Sequence, residues 1–590
     1  MKRVLLFFCF SLGVSCAPSE RDLQTQAQAF LDEYTVKFKA LYYLSALAEW
    51  ASNTNIVEGD TTNAHNTKIA NETLAAFTGS VANIEKAREF LAKQDKLTPL
   101  QVKQLKAVLY RAADKPQTVA EIVKARTEKL FGFSFQIDGK AVTTNGIDNI
   151  LKSSNDLNER LRAWEASKEV GKTLKDGLEN LQRLRNQTVQ ALGYSDYFSY
   201  QVSDYGMTVD EMMALMENLI RELRPLYREL HTFARYELAK KYNSPVPKNL
   251  PAHWLPNRWA QDWSAMINVA GFDLDAALKA KSAEWIVQQA EDFYVSLGFD
   301  RMPRSFWEKS SLYPLPADAP YKKNNHASAW HLDLEHDIRS LMSVEPNAEW
   351  YETTHHELGH IYYFMSYTND EVPPLLREGA NRAYHEAMGS MLGLASMQKP
   401  FLQERGLIPA EASSDEMQTL LKEALNYIVF IPFSAGTMSR FEHELYVKNL
   451  PKDEFNKRWW ELVARYQGVE PPAPRGEEFC DASSKTHIND DAGQYYDYAL
   501  SYILLYQLHD HIATKILKQE PRATNYYGNQ EVGKFLADIM RPGASRDWRE
   551  VLREKTGEDL SAQAMLRYFD PLLDYLKKVN EGREHTLEDI

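Results

Sequence analysis

Apolar residues recur at three- and four-residue steps over most of this 590-residue chain, the period of amphipathic helices. "AEIVKARTEKLFG" and "LNERLRAWEASKEVGKTL" show it, and from about Ser19 to Tyr242 the pattern is nearly all helical. Thr208 and Glu211 make a capping box ahead of the long stretch "VDEMMALMENLIRELRPLYRELHTFARYELAKKY". Two segments depart from the helical period. In "FGFSFQIDGKAVT", Phe131, Phe133, Phe135 and Ile137 alternate before an Asp-Gly turn, which predicts a small hairpin. "HASAWHLDLEHDIRSLMSV" predicts two short strands around a turn near His336. From Ala348 onward the helical pattern returns. The proline-rich pieces "SPVPKNLPAHWLP", "YPLPADAP" and "VEPPAPRG" read as long loops inside one large domain, because helical patterning resumes after each. No repeat of fixed period is visible, which argues against a solenoid.

The first residues carry a different pattern. Lys2 and Arg3 precede the apolar run "VLLFFCFSLGV" and small residues at Ser15–Ala17, the layout of a secretory leader. Residues 1–16 are therefore expected to be a signal peptide and 17–590 a single domain. "LGVSC" loosely resembles a bacterial lipobox, which makes Cys16 a candidate lipid anchor. Either route exports the chain, to a periplasm or the extracellular space. No internal apolar run approaches the ~20 residues needed to cross a bilayer. With Cys9 and Cys16 in the leader, Cys480 stands alone in the domain: no intramolecular disulfide is available, and the thiol reads as incidental. A composition of 44% hydrophobic and 25% charged residues is that of a soluble globular protein, and a net charge of −14 argues against a nucleic-acid partner.

The strongest chemical signal is "HHELGH". His356 and His360, four residues apart, lie on one helix face and can reach a single Zn²⁺ ion. Glu357, next to the first ligand, is in the position of the general base of a zinc peptidase. "EWYETTHHELGHIYYFM" contains no proline and reads as one continuous helix. Gly359 in its middle costs about 1 kcal/mol relative to alanine, which suggests that something packs against the backbone there. A catalytic zinc needs a third protein ligand. Glu371 and Glu378 sit in loop-like segments, whereas Glu386 lies in "ANRAYHEAMGSMLGLASM", a helix rich in small residues that can pack closely on its neighbour. Glu386 is the better-fixed carboxylate and the expected ligand.

"HHELGHIYYF…REGANRAYHEAMG" resembles the angiotensin-converting enzyme family, peptidyl-dipeptidases of the gluzincin type. "LPAHWLPNRWAQDW", "AEDFYVSLGF", "NNHASAW", "WWELVARYQGVEPPAPR" and "YFDPLLDYLKK" follow in the family's order. The resemblance covers most of the chain after the leader and is weakest before about Asn180. It implies an all-α, two-lobed ellipsoid around a deep channel, with N-terminal helices as a lid and a few short strands near the active site. It implies one zinc ion per chain and short peptides with a free C-terminus as substrates. By the same resemblance His487 and Tyr498, in "KTHINDDAGQYYDY", would donate to the oxyanion. Lys485 and Tyr495 would hold the substrate's terminal carboxylate, with Tyr496 a competitor because this segment has one extra residue. His326 and Ala327 would contact substrate from an edge strand. The alternatives are a broader zinc oligopeptidase on a similar scaffold and a non-catalytic binding homologue.

Several positions depart from the family. Asp497 and Val463 stand where it has chloride-site arginines, so chloride activation is expected to be weak or absent. Ser390 replaces an aspartate that supports a zinc histidine, which predicts weaker metal binding. The glutamine that joins the lysine at the carboxylate has no clear match, and "LKAKSAEW" offers only Ala280 and Lys281. Trp350 and Thr353 are expected just upstream of the ligands on the motif helix.

Overall fold

The structure, a computed structural model, describes residues 19–113, 117–269, 271 and 273–590; the leader and Cys16 lie outside the described residues. Its first element, α1 (Glu20–Thr54), begins at a capping box of Ser19 with Asp22 and buries one stripe: Leu23, Ala27, Leu31, Tyr34 and Phe38. With α2 (Thr62–Thr78), α3 (Val81–Leu91) and α4 (Pro99–Ala112) it builds an apolar cluster separate from the main core. Leu334 and Leu375 reach into that cluster from the rest of the molecule. Polar clasps help the four helices hold there: Lys39 pairs with Glu335, itself bound to Arg377, and Arg111 lies 3.4 Å from Glu378.

The predicted hairpin is present. β1 (Phe135–Ile137) pairs antiparallel with β2 (Lys140–Val142) across Asp138 and Gly139, both at positive φ as a type I′ turn requires. Long helices follow, α5 (Leu157–Gln190) and α6 (Val209–Lys241), the latter opened by the Thr208–Glu211 capping box. They belong to a contiguous apolar core that runs from Leu130 to Leu587. The second predicted strand pair is β3 (Ser328–His331) against β4 (Ile338–Leu341), antiparallel. With 66% helix and 4% strand the fold is all-α, as the periodicity indicated.

Three helices carry chemistry-bearing residues, α7 (Ala348–Tyr367), α8 (Arg382–Ser396) and α10 (Tyr496–His511), and α9 (Glu416–Ile431) packs Phe430 against Tyr495 and Tyr498. The anomaly at Gly359 has a physical reason. A Cβ there would sit 2.8 Å from Gly389 Cα on α8, and one on Gly389 would sit 3.0 Å from His356 Nε2. The α7 and α8 backbones therefore touch, and any side chain at the crossing would hold them apart. Cys480 is a buried free thiol whose pKa burial raises to about 11, so it is inert, as expected.

Candidate active site

The HHELGH residues lie on one unbroken helix, and α8 presents Glu386 to them. The ligand atoms of His356, His360 and Glu386 all lie within 4.8 Å of one another. His356 Nε2 and His360 Nε2 are 3.1 Å apart, and His356 Nε2 is 3.9 Å from Glu386 Oε2. Two imidazoles held tetrahedrally by zinc at 2.0–2.1 Å place their nitrogens about 3.3 Å apart, so the donor set fits that ion. Burial lowers both imidazole pKa values to about 4, so both rings are neutral and offer a lone pair. His360 Nδ1 lies 2.8 Å from His385 Nδ1. A neutral ring has one donor and one acceptor nitrogen, so a His360 that donates here keeps Nε2 free for metal. His356 has a poorer support, Ser390 Oγ at 3.5 Å from Nδ1. The other two candidate carboxylates are engaged elsewhere: Glu371 pairs with Arg541, and Glu378 with Arg111.

These residues line a cavity of about 690 Å³. Its wall includes His326, Ala327, Ser328 and Ala329 on one side, Arg382 and Tyr498 on another, and Lys103 from α4, so the N-terminal helices border the same space. His326 and Ala327 immediately precede β3 rather than belonging to it. Glu357 also lines the cavity, and its buried Oε2 has no hydrogen-bond partner. Burial and then the neighbouring Glu386 charge raise its carboxyl pKa to about 8. A cation among the three ligands would draw that value back down. A carboxylate that lines a cavity beside such a donor set is suited to proton transfer.

The distant segment completes the constellation. His487 Nε2 lies 3.3 Å from Tyr498 Oη, and both rings pack against Tyr495, at 4.9 and 5.0 Å between centroids. Tyr495 packs on the side of His487 and Tyr498, whereas Tyr496 is fully buried against Phe198 and Tyr205. The turn before the tyrosines, with Gly493 at φ 78°, accommodates the added length. Lys485 Nζ donates to Gln261 Oε1 at 3.0 Å, and Tyr495 Oη to the same oxygen at 3.5 Å. Burial, then the charge of Arg258, lowers the lysine pKa to about 7. Gln261 thus places a glutamine beside the lysine from another segment, while Ala280 and Lys281 of "LKAKSAEW" are exposed. It sits in "WAQDW", inside a segment already similar to the family, and that was the signal available in the sequence.

Asp497 is buried, but it does not leave its surroundings without a cation. Arg382, from the start of α8, lies 3.9 Å from it and donates to Tyr498 Oη at 3.1 Å. Burial raises the Tyr498 pKa to about 12 although Arg382 opposes the shift, so its hydroxyl keeps its proton at neutral pH. Val463 is buried in the core.

A family model described as angiotensin-converting enzyme, in the peptidase M2 class, matches residues 21–587. The chain is similar to angiotensin-converting enzyme of Rattus norvegicus, 32% identical over 604 residues (96% of this chain and 44% of that protein). It is 31% identical over 592 residues to that of Mesocricetus auratus (95% and 43%). It is 29% identical over 614 residues to that of Theromyzon tessulatum (99% and 97%). The chain thus spans less than half of the Rattus and Mesocricetus proteins and nearly the whole of the Theromyzon one.

Proposed function

The chain belongs to the angiotensin-converting enzyme family, and we propose that it is a zinc-dependent peptidyl-dipeptidase that releases dipeptides from the free C-termini of short peptides. The observation that carries this reading is the convergence of Lys485 and Tyr495 on one oxygen of Gln261. We read these two buried donors, with the glutamine amide N–H₂ beside them, as the groups that would receive a terminal carboxylate. An endopeptidase has no need of such an anchor. The Tyr495 and Tyr498 rings pack with centroids 5.0 Å apart, so the anchor and the oxyanion donors adjoin one another.

His356, His360 and Glu386 would hold the zinc ion, whose chemistry when bound is to polarise the scissile carbonyl and acidify water. Glu357, which lines the cavity beside the three ligands, takes the proton of the attacking water and passes it to the leaving amine. His487 and Tyr498 donate to the developing oxyanion. His326 and Ala327, on the facing wall, offer backbone groups to an extended substrate. We further read residues 17–590 as one peptidase unit, exported behind the leader, with Cys16 a candidate anchor. Among the described residues no helix is long and apolar enough to cross a membrane. Because Arg382 is already paired with Asp491 and Asp497, we expect chloride activation to be weak or absent.

The test is a timed digest of the zinc-loaded protein, followed by mass spectrometry, with an N-terminally blocked peptide as free acid and as C-terminal amide. Successive dipeptide losses from the acid alone, abolished by Glu357→Gln, are expected. Internal cuts in both peptides would favour the broader oligopeptidase. No cleavage, or equal cleavage by Glu357→Gln, would defeat the enzyme reading.

A further inference from the structure

Arg382 occupies an electrostatically poor position. It is the first residue of α8, where the positive end of the helix dipole disfavours a cation by about 0.3–1 kcal/mol. Two carboxylates hold it there. Asp491 takes Nη1 with both oxygens, at 3.0 and 2.8 Å, and Asp497 Oδ2 lies 3.9 Å away. Burial lowers the guanidinium pKa, and Asp491 and then Asp497 more than reverse the shift, so Arg382 stays charged. Asp497 is fixed in turn by Tyr205, whose hydroxyl accepts from Ala383 N at 3.2 Å and donates to Asp497 Oδ1 at 2.6 Å. The starts of α8 and α10 are thereby cross-tied beside the cavity. A local rule broken and then compensated by three neighbours points to a purpose for the side chain.

That purpose lies at its second nitrogen. Arg382 Nη2 donates to Tyr498 Oη at 3.1 Å, and a guanidinium can only donate. Tyr498 therefore commits a lone pair to Arg382, and its own proton must point elsewhere. His487 Nε2, at 3.3 Å, takes it in the tautomer that leaves this nitrogen bare; when Nε2 carries its own proton for the oxyanion, the Tyr498 proton turns to the cavity. We propose that Arg382, braced by Asp491 and Asp497, is a positioning residue that makes Tyr498 a one-way hydrogen-bond donor toward the substrate oxyanion. The inference rests on the peptidase reading and adds a residue to it. Arg382 acts through Tyr498, so its contribution disappears once the hydroxyl is gone.

A double-mutant cycle tests this on the zinc-loaded full chain, with Arg382→Gln, Tyr498→Phe and both together. Loss of an oxyanion donor costs on the order of 10²–10³ in kcat. Arg382→Gln keeps the hydroxyl but frees it, so a fall in kcat of roughly ten- to a hundred-fold is expected, with KM changed less than about three-fold. In the Tyr498→Phe background Arg382→Gln should cost almost nothing further. Arg382→Lys should recover part of the loss. Calorimetry supplies a readout independent of turnover. A phosphinic tripeptide, which mimics the tetrahedral state, should lose affinity for Arg382→Gln by the same factor as kcat. The product dipeptide, which needs only the anchor, should bind unchanged. Additive losses in the double variant, or equal losses for dipeptide and phosphinate, would overturn the inference. A wild type that cleaves no peptide would instead defeat the peptidase reading, and the phosphinate cycle would still decide the role of Arg382.

Discussion

Gly359→Ala should weaken metal binding as well as the fold. In an ordinary helix interior, glycine to alanine gains about 1 kcal/mol. Here the new methyl would sit 2.8 Å from Gly389 Cα, 3.1 Å from Gly389 N and 3.2 Å from Tyr294 Oη. Carbon atoms rest at about 3.5–4.0 Å, so α8 would have to retreat by ~0.7 Å. Tyr294 cannot give way freely, because its hydroxyl donates to His355 O at 2.7 Å. Overpacking of this kind costs about 1–3 kcal/mol, which outweighs the helix-propensity gain in most of that range. Glu386 lies one turn before Gly389 and His356 one turn before Gly359, so the same shift opens the donor set. Metal sites tolerate only about ±0.2 Å. The expected result is a lower melting temperature for the metal-free protein and a zinc affinity reduced about ten-fold or more in chelator competition. A raised melting temperature with unchanged zinc affinity would refute the claim that touching backbones set the ligand geometry.

Three further outcomes are expected. The lysine anchor binds a carboxylate only when charged, and burial puts its pKa at about 7. Thus the basic limb of kcat/KM for free-acid peptides should fall as pH rises through about 7; Lys485→Gln should remove that limb, and a limb that survives would be contrary evidence. Ser390→Asp should tighten zinc binding about ten- to a hundred-fold by replacing a hydroxyl 3.5 Å from His356 Nδ1 with a carboxylate; equilibrium dialysis against a chelator reads this, and no gain would rule out the support role. Replacing acetate with chloride at constant ionic strength should change peptidase rates less than two-fold, and strong activation would contradict the pairing of Arg382 with Asp491 and Asp497.

The legible parts of the molecule were those written in local pattern. Helical periodicity, the Asp138-Gly139 turn and the His356–His360 spacing each need only neighbouring residues, and each appears as expected. Gly359 announced a close contact through its cost, without naming Gly389 as the partner. Tertiary choices were less accessible. Whether Tyr495 or Tyr496 faces inward depends on the turn at Gly493, and Gln261 reaches Lys485 from 224 residues away. Arg382 carries no mark of its own in the sequence, where Asp497 is the visible change of charge. The geometry instead supplies the cation from a different helix, and one position read alone cannot report a pair.

The four N-terminal helices have an apolar core of their own, and the pairs that clasp them to the rest are partly open to solvent. Surface pairs of this type weaken as salt shortens the Debye length, to ~3 Å at 1 M, while the contacts of Leu334 and Leu375 do not. Added electrolyte therefore acts on the doorway, whatever it does to the chemistry behind it. On the peptidase reading, a rate that follows ionic strength irrespective of the ion would report these clasps. Only a rate that follows the identity of the ion reports an anion bound at the catalytic residues.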